Sequence, residues 1–316
     1  MRVTIGIPVY NCEQWIATAI QSALDQTWPD KEVIVVDDGS TDCTPAICAR
    51  FQEAVRLVRL AKSGGNAARN EVLRLATGSW IQYLDADDYL APNKIASQVN
   101  DCGNLACFDV LCSATIKEYW ENGVYVRRET MPLSRNADLR AVYLDWQMPQ
   151  TGACLWRRDA LARIGGWSEE RRRLQDSELH VRAFKAGLRY GIAGEPAAIW
   201  RMWSQATVSN QDKTSMLLGI TELVRELVAW LEAEGKLTDH HRRLAGKLCF
   251  QMARDLAGID LRMAKQYYLE RKKEGLVRLE GPRSPWKYRL MLRFFGFEKA
   301  EQLASLMRGR TGQPSW

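Results

Sequence analysis

Three carboxylates, Asp85, Asp87 and Asp88, directly follow the apolar run at 80–84 in "WIQYLDADDYL". Carboxylates this close repel one another, and each resists losing its water. A bound cation would neutralise the cluster, whereas a solvated turn that caps the next helix would leave it in water. In an extended segment Asp85 and Asp87 point the same way, so both can face one ligand. Alone, the segment fits either interpretation.

The elements around this cluster favour a ligand site. Apolar, β-branched stretches ("VTIGIPVY", "EVIVVDD", "VRLVRL", "WIQYL") alternate with helical ones in the first hundred residues. This β-α-β-α-β-α-β order predicts a parallel sheet with helices on both faces. The polar segments "PVYN", "DDGSTD" and "DADD" end three of these strands. They would therefore meet at the carboxyl edge of the sheet, where such folds bind ligands.

The remaining sequence predicts a second, helical part. Residues 101–200 mix strand-like and helical stretches, and nearly everything after residue 212 has helical periodicity. We place a boundary near residue 210. This gives an α/β domain at 1–210 and a helical region at 211–316.

Composition predicts a cytoplasmic protein. The chain has 316 residues, 46% of them hydrophobic and 26% charged. No run of eighteen apolar residues suggests a spanning helix, and the N-terminus lacks the long apolar region of a signal peptide. Eight cysteines are spread along the chain without a C-x-x-C pair. That pattern is typical of reduced, mostly buried thiols rather than of a zinc site.

The net charge of +6 is concentrated towards the C-terminus. Residues 1–200 carry 23 Lys/Arg and 25 Asp/Glu, whereas residues 201–316 carry 21 and 13. A basic region favours an anionic partner, either a membrane or a nucleic acid. We expect no nucleic acid, because basic and stacking aromatic residues are not interleaved on one predicted sheet.

The segment 283–316 combines an apolar stripe with basic residues. On a helix, one stripe would hold Trp286, Leu290, Phe294, Phe297, Leu303 and Met307, with basic residues Lys287, Arg289, Arg293 and Arg310 around it. Such a helix could bind an anionic lipid surface. The same stripe could instead pack on the domain at 1–210, leaving the basic face solvated. Both alternatives stay open.

Several motifs together resemble one family. "IPVYN", "QTWPDKEVIVVDDGSTD", "GGNAARN" and "LDADDYLAP" are similar to segments of the family 2 glycosyltransferases, which have the GT-A fold. The later segments "GACLWRRDALARIGGW" and "QDSELHVRAFKAG" also resemble the family, so that the resemblance covers roughly residues 1–210. It implies a Rossmann-like, mostly parallel α/β sheet and transfer of a sugar from a nucleotide-diphosphate donor. Residues 1–210 would then be the catalytic domain, with a nucleotide-sugar-binding half at 1–100 and an acceptor half at 101–210.

The resemblance also implies roles for individual residues. Asp87 would be the ligand of Mn²⁺ or Mg²⁺, Asp85 would contact the ribose, and Asp88 would brace the turn or cap a helix. The predicted donor-binding residues are Pro8, Tyr10, Asp38, Arg69, Asp85 and Arg201. Tyr10 would lie against the base and Asp38 would accept a hydrogen bond from uracil, whereas the neighbouring Asp37 is a turn residue. Arg69 either faces the diphosphate or pairs with an acid on its own helix.

The predicted catalytic base is Asp176, which matches the aspartate of the family's acidic helix. Gln175 stands where the family usually has a second acid, so Asp176 loses a negative neighbour. Trp203 stands where the family often has a histidine, which puts a further metal ligand in doubt.

The implied function is an inverting, metal-dependent transfer from a UDP-sugar to a saccharide or lipid-linked acceptor in cell-surface polysaccharide synthesis. The alternative is a non-catalytic nucleotide-sugar-binding protein on the same scaffold. A dehydrogenase is disfavoured because no G-x-G-x-x-G follows the first strand.

Overall fold

The computed structural model describes residues 1–193, 195, 197–203 and 212–309. It divides into two compact units, one of Met1–Ala137 with Met148–Val208 and one of Asp138–Gln147 with Ser209–Trp316. The sequence-based division near residue 210 assigned 138–147 to the catalytic part. In the structure this short segment belongs to the helical unit.

The elements of the described residues are as follows. The strands are β1 Val3–Val9, β2 Lys31–Asp37, β3 Arg56–Arg59, β4 Trp80–Tyr83, β5 Tyr89–Leu90, β6 Val110–Cys112, β7 Thr115–Glu121, β8 Val124–Met131, β9 Cys154–Arg157, β10 Tyr190–Ile192 and β11 Ala198–Met202. The helices are α1 Ile16–Leu24, α2 Thr44–Ala49, α3 Gly65–Leu75, α4 Lys94–Cys102, α5 Leu139–Leu144, α6 Arg158–Arg163, α7 Gln175–Lys185, α8 Lys213–Ala233, α9 Asp239–Ala257, α10 Leu261–Lys273 and α11 Trp286–Gly309.

The first unit is built on a seven-stranded sheet in the order β10-β6-β9-β4-β1-β2-β3. Strands β1, β2, β3 and β4 pair in parallel, as the alternation of the first hundred residues predicts. Strand β9 is antiparallel to both of its neighbours, β4 and β6. The predicted fold class, a mostly parallel α/β sheet followed by helices, is confirmed.

Helices cover both faces of this sheet because its inner strands are apolar on both sides. Val33 and Val35 of β2 belong to one buried cluster, which also contains Ile20 of α1. Ile34 and Val36, which point the other way, belong to a second cluster that contains α3 residues. Strands buried on both faces read as continuous hydrophobic runs, and β1 is buried along its whole length.

A smaller sheet in the order β5-β11-β7-β8 lies in the same unit. The segment "FDVLCSATIKEYW" reads as one strand, but the structure divides it between β6 of the large sheet and β7 of the small one. Strands β7 and β8 form an antiparallel hairpin. Its turn, Asn122-Gly123, has positive φ at both residues, the conformation that this dipeptide favours.

The second unit consists of helices. Its buried side chains include Leu223 and Leu227 of α8, Phe250 of α9 and Tyr268 of α10. Helix α11 is interrupted at Gly296, where φ is 74°. No helix within the described ranges is long and apolar enough to cross a membrane.

Candidate active site

The acidic turn after β4 is fastened at Asp88. This side chain is fully buried; its Oδ1 accepts a hydrogen bond from the backbone N–H of Arg201 (2.8 Å), and its Oδ2 accepts one from Nε2 of Gln150 (2.6 Å). Burial, together with the negative charges of Asp87 and Asp85, raises the pKa of Asp88 well above its usual value. Asp88 therefore braces the turn against β11.

Asp85 is joined to the N-terminus of α7. Arg69 of α3 donates from Nη2 to Asp85 Oδ1 (2.7 Å) and from Nη1 to Gln175 Oε1 (3.2 Å). Gln150 Nε2 lies 3.4 Å from the other oxygen of Asp85. Of the two alternatives for Arg69, a helix acid is not its partner, because Glu71 pairs with Arg74. The chain of contacts from Asp85 through Arg69 to Gln175 brings the acidic turn next to the helix that carries Asp176.

Asp87 is held from two sides. Its Oδ2 accepts a hydrogen bond from Trp203 Nε1 (3.0 Å), and its backbone oxygen accepts one from Arg201 Nη1 (2.7 Å). Burial, and after it the negative charge of Asp85, raises the pKa of Asp87. A carboxylate in this setting is stabilised by a nearby positive charge.

Arg201 is enclosed by aromatic rings. Its guanidinium carbon lies 4.0 Å from the ring centre of Trp15, 5.0 Å from that of Tyr89 and 5.6 Å from that of Trp120. Only 4% of the residue is exposed. In this arrangement Arg201 holds the backbone oxygen of Asp87, and its side chain is shielded from solvent.

A pocket of about 80 Å³ lies at the carboxyl ends of the central strands. Its lining consists of the predicted donor-binding residues Pro8, Tyr10, Asp38 and Arg69 together with Val9, Gly65 and Ala68. Asp38 accepts hydrogen bonds from the backbone N–H groups of Ser63 (2.6 Å) and Gly64 (2.8 Å), which fixes the loop that enters α3. Asp37 accepts from the N–H of Ser40 (2.9 Å), as expected of a turn residue.

Tyr10 at the rim of this pocket is exposed and is covered on one side by Lys62. Lys62 Nζ donates to the Tyr10 hydroxyl (2.8 Å) and lies 4.3 Å from the ring centre. Tyr10 is 39% exposed, so part of its ring is accessible to a flat group such as a nucleobase. A cation at this rim also suits an anionic ligand.

Asp176 lies in the first turn of α7, and it is partly exposed. Its Oδ1 accepts a hydrogen bond from the N–H of Ser177 (2.8 Å). Leu174, which precedes the helix, has a left-handed φ of 55°. Glu178 is ion-paired with Arg182 (2.6 Å), so its role is to support the helix.

Sequence reasoning missed several contributors to the site, among them Trp15 and Tyr89 beside Arg201. Gln150 contacts two carboxylates of the turn, Lys62 contacts Tyr10, and Trp120 belongs to the rings around Arg201. The high tryptophan content, 12 residues, was the one available signal, but it does not say where the rings lie.

The donor set of the turn suits a hard divalent cation. No group of three or more His, Cys, Asp or Glu side chains that could hold a metal occurs among the described residues. Mg²⁺ is usually bound through one or two carboxylates, with substrate phosphates and water completing its shell. Asp87 fits this pattern because its carboxylate is poorly compensated by protein groups, whereas Asp85 is neutralised by Arg69.

Comparison with known proteins gives concordant matches. Chondroitin synthase from Escherichia coli is 41% identical over 96 residues, which are 29% of this chain and 14% of the relative. UDP-Glc:alpha-D-GlcNAc-diphosphoundecaprenol beta-1,3-glucosyltransferase WfaP, also from E. coli, is 38% identical over 101 residues, which are 31% of this chain and 40% of the relative. The matches thus span less than half the length of these curated relatives.

Solved structures share the fold. S. aureus TarS 1–349 in complex with UDP-GlcNAc has a TM-score of 0.58 and 18% identity, covering 100% of this chain and 93% of that chain. Mannosyltransferase PcManGT from Pyrobaculum calidifontis in complex with GDP-Man and Mn²⁺ has a TM-score of 0.56 and 18% identity, covering 99% and 88%. At this identity the likeness concerns the GT-A fold alone.

The profile described as glycosyl transferase family 2 matches residues 4–165, which contain the strand ends, the acidic turn and Arg69. The match extends over about half of the chain, so the chain belongs to glycosyl transferase family 2.

Proposed function

We propose that the protein is an inverting glycosyltransferase that moves a sugar from a UDP-sugar to a hydroxyl group of a saccharide or lipid-linked acceptor. The observation that carries this proposal is the contact chain from Asp85 through Arg69 to Gln175. It brings Asp85 and Asp87, which would contact the ribose and the metal ion of the donor, next to helix α7. This helix carries Asp176, a partly exposed carboxylate. Donor and proton acceptor must be neighbours in any such reaction.

The donor side is assigned to the pocket of Pro8, Tyr10, Asp38 and Arg69, with Asp85 at the ribose. We favour uridine because the resemblance gives Asp38 the role of accepting a hydrogen bond from uracil, and because Tyr10 at the rim of the pocket is exposed. Two of the similar proteins are described with UDP-sugars and one with GDP-Man. Arg69 lines the same pocket and supplies a positive charge towards the diphosphate.

Asp87 would hold Mn²⁺ or Mg²⁺ together with phosphate oxygens of the donor. The ion would neutralise the negative charge that develops on the departing diphosphate. Trp203 and Arg201 keep Asp87 in place by their hydrogen bonds to its carboxylate and backbone oxygen.

Asp176 would accept the proton of the acceptor hydroxyl. The acceptor oxygen then forms a bond to the anomeric carbon while the bond to the diphosphate oxygen breaks on the opposite face. One such displacement inverts the anomeric configuration. Gln175, where the family usually has a second acid, places no negative charge beside Asp176.

The setting we propose is cell-surface polysaccharide synthesis at the inner face of the cytoplasmic membrane. Among the relatives, WfaP is described with a diphosphoundecaprenol-linked acceptor and another, from Bacillus spizizenii, as a poly(ribitol-phosphate) beta-glucosyltransferase. The basic segment 283–316 would bring the protein to an anionic membrane surface.

The test compares Asp176→Asn with a control, Glu170→Gln, which removes an exposed charge shortly before α7. With a UDP-sugar, Mn²⁺ and an acceptor, Asp176→Asn should lower turnover about a hundredfold or more, the usual scale for a lost general base. UDP binding, followed by thermal shift, should be unchanged in both variants. The product should have the inverted anomeric configuration.

Two outcomes would contradict the proposal. Near-normal turnover of Asp176→Asn would exclude its role as base. The protein could also bind UDP-, GDP- or dTDP-sugars without releasing nucleoside diphosphate in the presence of any acceptor. That result would favour the alternative of a non-catalytic binding protein, which is based on the departures from the family pattern at Gln175 and Trp203.

A further inference from the structure

The first half of α11 presents a stripe of large apolar side chains to solvent. Trp286, Leu290 and Phe294 are spaced four residues apart, which puts them on one side of a helix. They are 61%, 44% and 72% exposed, respectively. Phe295, at the end of this half, is also exposed. Single exposed apolar residues need no explanation, but a contiguous group indicates an interaction surface.

The stripe is not needed to hold the helix in its unit. The opposite side carries Tyr288 and Leu292, which are buried, and the Tyr288 hydroxyl donates to Glu301 (2.6 Å). Beyond Gly296, Phe297 is buried and stacks on Tyr268 with ring centres 4.5 Å apart. The prediction that Phe297 shares the stripe of Trp286 is wrong, because the kink at Gly296 turns it into the core.

Phe297 of the predicted stripe therefore packs within the second unit, whereas Trp286, Leu290 and Phe294 are exposed. Leu303 and Met307 of the predicted stripe are exposed in the second half of the helix, and Arg310 lies outside the described residues. A deletion of 283–316 would remove buried core residues together with the stripe. Only substitutions on the exposed face separate the two roles.

The exposed charges beside the stripe are positive, which favours an anionic partner. Lys287, Arg289 and Arg293 are exposed and flank the stripe, Lys287 on one side and the two arginines on the other. The acids of α11 are engaged elsewhere, Glu298 with Lys265 (2.7 Å) and Glu301 with Arg254 (2.6 Å). A second copy of this chain would bring like charges together across a two-fold interface, which is unfavourable. An anionic surface complements the face.

We propose that the exposed face of α11, formed by Trp286, Leu290 and Phe294 with Arg289 and Arg293 beside them, binds anionic phospholipid. Aromatic and leucine side chains enter the boundary between headgroups and acyl chains, and the basic residues pair with the headgroups. This rests on the proposed function in one respect: it supplies the surface by which an enzyme acting on a lipid-linked acceptor meets its membrane.

The experiment measures sedimentation of the full chain with vesicles of phosphatidylcholine, with and without about a quarter of phosphatidylglycerol. The wild type should sediment with anionic vesicles and largely lose binding in neutral ones. The triple variant Trp286→Ser/Leu290→Ser/Phe294→Ser and the double variant Arg289→Gln/Arg293→Gln should each weaken binding tenfold or more. The matched control Val124→Ser/Val126→Ser removes exposed apolar residues of β8 and should bind as the wild type.

A thermal shift with UDP and Mn²⁺, measured on every variant, keeps this test separate from the proposed activity. An unchanged shift shows that a variant is folded and binds nucleotide, whatever its behaviour with vesicles. A wild type that stays in the supernatant with anionic vesicles overturns the proposal. The proposal is also overturned if light scattering shows a dimeric wild type and a monomeric triple variant while both bind vesicles equally. In that case a second copy of the chain covers the exposed face.

Discussion

At the scale of single residues, Trp203 contributes both a hydrogen-bond donor and a packed ring. Its indole N–H donates to Asp87, and its ring packs against Trp15 with centres 5.9 Å apart. A hydrogen bond to a charged group contributes about 1.5–3 kcal/mol, mostly by keeping the carboxylate in one orientation. The ring supplies packing that is independent of the N–H. The two contributions can be separated by substitution.

We predict that Trp203→Phe, which keeps a ring but removes the donor, raises the Mn²⁺ concentration needed for half-maximal nucleotide binding about tenfold, the equivalent of about 1.4 kcal/mol. The melting temperature without ligand should change little. Mn²⁺ titrations of the UDP-induced thermal shift measure this. Trp28→Phe is the control, because its indole N–H bonds only to the backbone oxygen of Met1 (3.0 Å). An equal effect of both substitutions would show that Trp203 does not act through Asp87.

The sequence identified the acidic turn, because polar residues at the ends of consecutive parallel strands must meet. It did not identify what those acids contact. Arg69 and Gln150 lie 16 and 65 residues from Asp85 along the chain, and nothing local specifies either pairing. Such contacts arise only when α3 and the segment before β9 are packed on the sheet.

At the scale of elements, the close approach of α3 to β1 positions Arg69. Gly6 of β1 has no side chain, and a Cβ built there would lie 2.2 Å from Val72 Cγ1 of α3. Three residues before Val72 on the same helix, Arg69 contacts Asp85. A side chain at Gly6 would therefore push the helix away from the acidic turn.

We predict that Gly6→Ala destabilises the protein by about 1–3 kcal/mol, the usual cost of overpacking, and weakens UDP binding because Arg69 moves. The double variant Gly6→Ala/Val72→Ala should recover both properties in part, since the second change makes room for the first. Denaturant unfolding and UDP titration of the four proteins of this cycle provide the measurement. If the loss of unfolding free energy in the double variant equals the sum of the losses in the two single variants, the two residues do not interact.

Element types were more predictable than their partners. Strands β1 to β4 appear where the apolar, β-branched stretches placed them. The antiparallel direction of β9 and the split between β6 and β7 were not foreseen, because a short apolar run does not encode the sheet it joins. The sequence likewise did not indicate that α5 belongs to the helical unit. It rests on distant pairs such as Asp138 with His241 (2.7 Å) and Asp145 with Lys247 (2.8 Å).

At the scale of the whole molecule, the candidate site and the proposed lipid-facing helix belong to different units. The pocket, the acidic turn and Asp176 lie in the first unit, and helix α11 lies in the second. The second unit has a buried ion pair, Arg254 with Glu301 (2.6 Å), which ties α11 to α9. Removing one partner of a buried pair costs about 3–5 kcal/mol, because the other charge is left uncompensated.

We therefore predict two calorimetric transitions that respond to different changes. UDP with Mn²⁺ at a hundred times its dissociation constant should stabilise the first unit by about 2.7 kcal/mol and leave the second transition in place, since a ligand stabilises only the unit that binds it. Glu301→Gln should lower the second transition and leave both the first transition and its response to UDP unchanged. The conservative Glu298→Gln, which breaks the exposed pair with Lys265, should lower it by far less, because exposed pairs contribute about 0–1 kcal/mol. A single transition that is raised by UDP and lowered by Glu301→Gln would mean that the two cores unfold as one, and that nucleotide binding and the lipid-facing helix are thermodynamically coupled.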